Sequence, residues 1–158
     1  MNFPAHIFKA YDIRGLSPGE ITADIAFRIG RAFAAFVKRE LSVGPLTVAV
    51  GGDMRLTTPI LKQAVIKGII AQGINVVDIG LVSTPTFYFG VSYYRYNAGI
   101  QVSASHNPGK YNGFKMVRAR AVPISGDSGI YDIRDAAEKN DPTTHRQMLP
   151  RPQPFFLL

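Results

Sequence analysis

The chain has 158 residues, 46% of them hydrophobic, and no cysteine; 18 Lys and Arg against 11 Asp and Glu give a formal charge of +7. This length suits one compact domain with a sizeable core, and the lack of cysteine excludes disulfides, thiol nucleophiles and zinc–thiolate sites. The basic residues are scattered singly, as suits a small anionic ligand at least as well as nucleic acid, and neither a signal-peptide run nor a membrane span is legible, so a cytoplasmic protein with no nucleic-acid or membrane partner is expected.

In chain order, Ile7, Phe8 and Ala10 read as a short strand, and Tyr11-Asp12-Ile13-Arg14-Gly15 as a loop reversing at its glycine. Arg14 is either a surface turn residue or a functional cation, and these five residues leave both open. From Thr22 to about Arg39, Ile25, Ile29, Phe33 and Phe36 or Val37 recur at helical spacing, with Thr22 as cap and Asp24 in the first turn. Leu46–Val50 is an apolar strand ending in Gly51-Gly52-Asp53, and a helix capped by Thr58, with Pro59 as its first residue, follows and stops at Gly73. The turn from Gly51 to Arg55 could cradle a ligand phosphate at the helix N-terminus, although glycines after a strand more often simply make the turn.

Ile74–Ile79 repeats the strand, and Thr84-Pro85 opens a further helix reaching about Tyr96. Its aromatic stretch FYFGVSYYRY could stack on bases. Helical spacing instead favours Phe87, Val91 and Tyr94 sharing a buried face, with Tyr93 and Arg95 solvated. From Gly99 to about Ala121 come a strand, a turn carrying Ser105 and His106 at its exposed tip, and an antiparallel return strand bearing Phe114, Met116 and Val117. A last helix over 130–139, capped by Asp127 or Ser128, would bury Ile130, Ile133 and Ala137. After Asn140 periodicity ends: residues 141–158 form a Pro-rich irregular tail closing on Phe-Phe-Leu-Leu, for which truncation, a shifted reading frame or an appended non-native sequence are explanations. The domain is therefore expected over 1–140.

The segment GIQVSASHNPGKYNGFK concentrates the chemistry. Lys110, Lys115, Arg118 and Arg120 follow the serine, and no carboxylate occurs from Ile79 to Gly126, so the loop should attract an anion, with phosphate the expected one. A hydrolase reading in which His106 deprotonates Ser105 is disfavoured, because adjacent residues of an extended segment point to opposite sides and no nearby carboxylate could orient the imidazole. The other use of a serine in a basic loop is to carry phosphate. That requires cations, which Lys115, His106 and Arg14 could supply, and usually a divalent metal, for which the loop has no carboxylates.

SASHNPGKYNGFKM resembles the phosphoserine loop of the α-D-phosphohexomutases, and FKAYDIRG and Gly-Gly-Asp-Met-Arg match the same family in the same order. Tyr-Asp-Ile-Arg-Gly with Tyr-Asn-Gly-Phe-Lys is more similar to the phosphomannomutase/phosphoglucomutase branch than to the phosphoglucosamine mutases, which stay as an alternative. One departure is Gly52, where family members usually carry arginine. The resemblance implies a three-layer α/β/α domain with a mixed, mainly parallel sheet and one antiparallel strand, the first of four domains. It implies phosphotransfer between the 6- and 1-positions of mannose or glucose phosphate, with hexose 1,6-bisphosphate as intermediate and activator. In that reading Ser105 carries the phosphoryl group and gives Mg²⁺ one ligand, Lys115 and His106 assist proton transfer, Arg14 braces the phosphoserine, and Tyr11 and Asn107 line the site. The other metal ligands and the sugar-recognition loops would belong to the missing downstream domains, so this chain alone should be nearly inactive. A non-catalytic phosphate-binding or scaffold fragment is the rival reading.

Overall fold

Each apolar run of the chain buries one face, and the order of those runs dictates the architecture. The computed structural model describes residues 3–41, 44–139 and 156–157. Helix α1 (Ala23–Leu41) buries Ile25, Ile29, Phe33, Phe36 and Val37, and the Thr22 hydroxyl accepts from the Ile25 N–H at 3.3 Å, as its capping role requires. Strand β2 (Thr47–Gly52) leads into α2 (Thr58–Ile70), which packs across α1 and is followed by Gly73 at φ +74°. Strand β3 (Asn75–Leu81), α3 (Thr84–Tyr93) and β4 (Ala98–Val102) repeat the pattern, and β5 (Tyr111–Arg118) returns against β4.

The first strand is not where the sequence places it. Ala5–Ile7 is a single tight helical turn, and the strand is β1 (Ile13–Leu16), in the segment expected to be a loop. The reason lies far downstream in the chain: β5 offers a free edge, Ile13 pairs with Phe114 and Arg14 with Gly113, and a Cβ at residue 113 would fall on the Ile13 carbonyl oxygen. Only glycine lets β1 approach so closely.

Among the described residues the sheet order is β1-β5-β4-β2-β3-β6, where β6 is Phe156–Leu157 alongside Val77 and Asp78. The remainder of the expected tail lies outside the described residues. Strands β4, β2, β3 and β6 pair in parallel, and β5 is antiparallel to both its neighbours. This is the mixed sheet with one reversed strand that the sequence implies. Alternation along the strands divides two cores. Val48, Val50, Ile100, Val102, Phe114 and Met116 face α1, α2 and the last helix, α4 (Tyr131–Lys139); Ala49 and Val117 face Phe87 and Val91 of α3. Three layers result.

The helix ends need correction in detail. Thr58 is the first residue of α2 and does not cap it: its hydroxyl donates to Asp53 Oδ1 at 2.8 Å, inside the turn. Helix α3 is capped by Ser83, whose Oγ accepts from the Thr86 N–H at 3.2 Å, and it ends at Tyr93 because Arg95 turns to φ +57°. Tyr94 therefore leaves the helix before it can reach the core; it is 57% exposed, edge-on to Tyr93 and beside Tyr96, while Phe87 and Val91 are buried as expected. Ser125, reciprocally bonded with Ser128, caps the wide helical turn over Gly126–Ile130 that leads into α4, so neither Asp127 nor Ser128 takes the capping position there. Ile130, Ile133 and Ala137 are buried as the spacing predicts.

Candidate active site: the Ser105 loop

Strand β4 ends inside the core, and Ser103 and Ala104 remain buried before the chain emerges at Ser105. Ser105 takes φ +55°, a left-handed conformation unusual for a residue with a side chain. Local hydrogen bonds hold it there. Ser103 Oγ accepts from the Ser105 N–H at 2.9 Å, and the Ala104 carbonyl accepts from both the Asn107 N–H at 3.1 Å and Asn107 Nδ2 at 2.7 Å. Asn107 thus ties the loop back on itself.

The left-handed residue also overturns one expectation. Ser105 and His106 do not point apart, because the segment is not extended there: Ser105 Oγ lies 3.4 Å from His106 Nδ1, with both side chains exposed at the tip. Among the described residues no carboxylate orients the imidazole, so a Ser-His-Asp arrangement is not assembled. What exists is an exposed hydroxyl with one nitrogen base beside it.

The cations come from the neighbouring strands. Arg14 of β1 stands opposite Gly113, and Lys115 of β5 opposite Gln101, which by alternation places both on the α3 face of the sheet, together with Ser103. They meet on one carboxylate. Asp12 Oδ2 accepts from Arg14 Nη2 at 2.7 Å and from Lys115 Nζ at 3.2 Å, and Asp12 is only 7% exposed. From α3, Tyr88 faces the same region: burial, and secondarily the Asp12 charge, push its phenol above the ordinary range, so it stays neutral. Tyr11 next door projects into solvent, 82% exposed.

The expected site residues are thus placed at one end of the β1–β5–β4 half of the sheet, but two carboxylates that organise them were missed. Asp12 lies within the Tyr-Asp-Ile-Arg motif and could have been paired with Lys115 on charge alone. Asp53 and Arg55 lie in the glycine turn after β2, where a ligand phosphate was considered. That turn holds the serine loop. Arg55 donates Nη2 to the Ser105 and Asn107 carbonyls at 2.8 and 2.7 Å, Nη1 to the Pro108 and Tyr111 carbonyls at 2.8 and 2.9 Å, and Nε to Asp53 Oδ2 at 3.1 Å. Asp53 Oδ1 accepts from the Arg55 N–H and the Thr58 hydroxyl, and Asn112 Nδ2 donates to the Thr57 and Thr58 hydroxyls at 2.9 and 3.1 Å, closing the network.

Residues 5–144 match the family model described as phosphoglucomutase/phosphomannomutase, alpha/beta/alpha domain I. The chain belongs to that family. It is 51% identical over 134 residues to a phosphomannomutase of Vibrio cholerae, covering 85% of this chain and 29% of the relative. A phosphomannomutase of Escherichia coli K12 is 49% identical over 134 residues, with 28% of the relative covered. A Klebsiella pneumoniae phosphomannomutase is 49% identical over 133 residues, and there the chain covers 81% of the relative. Among solved structures, a phosphoglucomutase/phosphomannomutase family protein of Burkholderia thailandensis superposes with a TM-score of 0.78 at 41% identity, over 87% of this chain and 30% of that one. The chain spans under a third of the length of the first two relatives.

Two features of this domain I bear on its chemistry. At Gly52 an added Cβ would stand 2.6 Å from Thr58 Cγ2, so a larger residue could enter there only if Thr58 moved. For a divalent metal, the described residues contain no group of three or more His, Asp or Glu that could hold one. The two carboxylates nearest the chemistry, Asp12 and Asp53, are already engaged by cations. The residues present therefore do not make a magnesium site by themselves, and the loop presents the hydroxyl of the exposed Ser105.

Proposed function

We propose that the protein carrying this domain transfers a phosphoryl group between the 6- and 1-positions of mannose or glucose phosphate through a phosphoserine at Ser105. The observation that carries the reading is the exposed Ser105 hydroxyl, held left-handed at the loop tip with His106 Nδ1 at 3.4 Å. Family membership supports the same reading.

In the forward half-reaction a sugar hydroxyl oxygen bonds to phosphorus and the bond from phosphorus to Ser105 Oγ breaks. The proton of the sugar hydroxyl leaves and Ser105 Oγ gains one. His106, beside Oγ, is the group placed to move a proton at that atom. Lys115 and Arg14 supply positive charge on the α3 face, where a phosphoryl group carries nearly two negative charges. Asp12 keeps both cations oriented and buries their mutual repulsion. Asn107 fixes the loop, and Tyr11, next to Asp12, projects into solvent. The product of the first half-reaction is a hexose 1,6-bisphosphate, and return of its other phosphate to Ser105 completes the exchange. Family members' magnesium requirement would be met here only with ligands from outside the described residues. Without further domains the site is open to water, which argues for near-inactivity of this chain alone.

The test is substitution in the complete protein: Ser105→Ala should abolish mutase turnover by at least about a thousandfold while far-ultraviolet circular dichroism is unchanged. Turnover within tenfold of wild type would refute the reading.

A further inference from the structure

Arg55 is sealed into the domain, with a side chain 10% exposed, and touches neither the Ser105 hydroxyl nor the Arg14–Asp12–Lys115 group. All its polar hydrogens have work elsewhere. A guanidinium carries five N–H donors in a fixed planar fork. Here one goes to Asp53 and the others reach four carbonyls of the segment from Ser105 to Tyr111. No lysine could satisfy this set, since an ammonium has three donors and no fork.

Those four carbonyls belong to the turn that follows the left-handed serine. A residue with a side chain resists φ near +55°, so the conformation persists only where the surroundings fix it. Within the loop, Ser103 Oγ and the Ala104 carbonyl hold the amides of Ser105 and Asn107, and the Pro108 carbonyl holds that of Tyr111. Arg55 gathers the loop's carbonyls onto one charged group fixed on the β2–α2 turn, with Asp53 locking the guanidinium through its backbone and side-chain bonds. We propose that Arg55 is a positioning residue: acting through main-chain carbonyls alone, it sets the left-handed Ser105 and so presents the hydroxyl for phosphoryl transfer. The last clause rests on the function proposed above; the loop geometry does not.

The experiment has two readouts, the first on this chain and the second on the complete protein. In the first, amide exchange and Ser105 Cα and Cβ chemical shifts are followed by NMR in wild type, Arg55→Lys and Asp53→Asn. Arg55→Lys should speed exchange at Ser105, Asn107 and Tyr111 by about tenfold or more, as loss of several charge-assisted bonds implies. It should also move the Ser105 shifts from left-handed toward extended values, while Phe33 and Ile100 stay protected. Asp53→Asn, which keeps the fork and weakens its anchor, should give a smaller change of the same kind, and it decides the matter if Arg55→Lys fails to fold. Unchanged exchange and shifts at Ser105 in a folded variant overturn the proposal. The second readout is Ser105 phosphorylation by glucose 1,6-bisphosphate with Mg²⁺, followed by intact mass, in which phosphorus leaves the sugar oxygen for Ser105 Oγ and the hydroxyl proton passes to the sugar. Where wild type accepts phosphate, an equal rate in Arg55→Lys also overturns the proposal. Failure of the complete wild-type protein to accept phosphate counts against the mutase reading and leaves the NMR result to decide the role of Arg55.

Discussion

Asp12 Oδ2 accepts a hydrogen bond from Lys115 Nζ at 3.2 Å across 103 residues of sequence, and the same oxygen accepts from Arg14 Nη2 at 2.7 Å. One carboxylate therefore sets the positions of both cations on the α3 face. Asp12→Asn keeps the shape and removes the charge, leaving two half-buried cations without their common partner. We expect a loss of about 1–3 kcal/mol in urea-induced unfolding, the range for breaking charged hydrogen bonds of this burial. In the complete protein, turnover should fall further than stability alone explains, because Lys115 loses its orientation.

Helices α1 and α2 cross on two glycines. A Cβ at Gly68 would fall on the Phe27 carbonyl oxygen, and one at Gly30 on the Val65 carbonyl oxygen, so the backbones touch with no room for a methyl group. Backbone cannot give way as a flexible side chain does. Gly68→Ala should cost about 2–3 kcal/mol or more by thermal or urea unfolding, despite alanine's better helix propensity. A stabilised variant would show that the helices are not packed at this distance.

Glu20 gives the acid limb of the stability curve a specific source. Its carboxylate accepts from the Leu16 N–H at 2.7 Å and from His6 Nε2 at 2.6 Å, and these, the amide first, hold its pKa below the ordinary 4.5. The folded state therefore binds the proton less readily than the unfolded chain. The stabilisation is fully present above the unfolded value and is lost as pH falls from about 4.5 through the lower folded value. Urea midpoints measured at intervals between about pH 3 and 6 should show a steeper acid loss in wild type than in Glu20→Gln. Parallel curves would remove Glu20 from the account.

The aromatic stretch of α3 supplies a contrast in magnitude. Phe87 is fully buried against Ala49 and Val91, whereas Tyr94 lies outside the helix and is largely exposed. Phe87→Ala should cost about 3–5 kcal/mol and Tyr94→Ala within about 0.5 kcal/mol, both read from chemical unfolding.

Periodicity carried most of the fold: the helices at Ile25–Val37 and Leu61–Ile69 and the apolar runs of β2, β3 and β4 appear where their spacing puts them, since each must bury one face. What local pattern could not supply was the partner of β1. Ile13–Leu16 becomes a strand because Gly113 lets β5 approach it, a fact about a residue far along the chain. The same limit governed the site. Ser105, His106, Lys115 and Arg14 were legible as residue types suited to phosphate, but Asp12 and Arg55 act by reaching across the sheet, and a search for carboxylates near the loop in sequence passes over both Asp12 and Asp53. His106 departs from strand alternation for a different reason: Ser105 before it is left-handed, so the segment is not extended there.

The central claim is that Ser105 carries phosphate. Protein purified from its native source, digested and read by tandem mass spectrometry, tests it most directly. The account predicts a peptide spanning residues 103–110 with a single phosphate on Ser105 and none on Ser103. Unmodified Ser105 throughout, in protein prepared without phosphatase exposure, would contradict it.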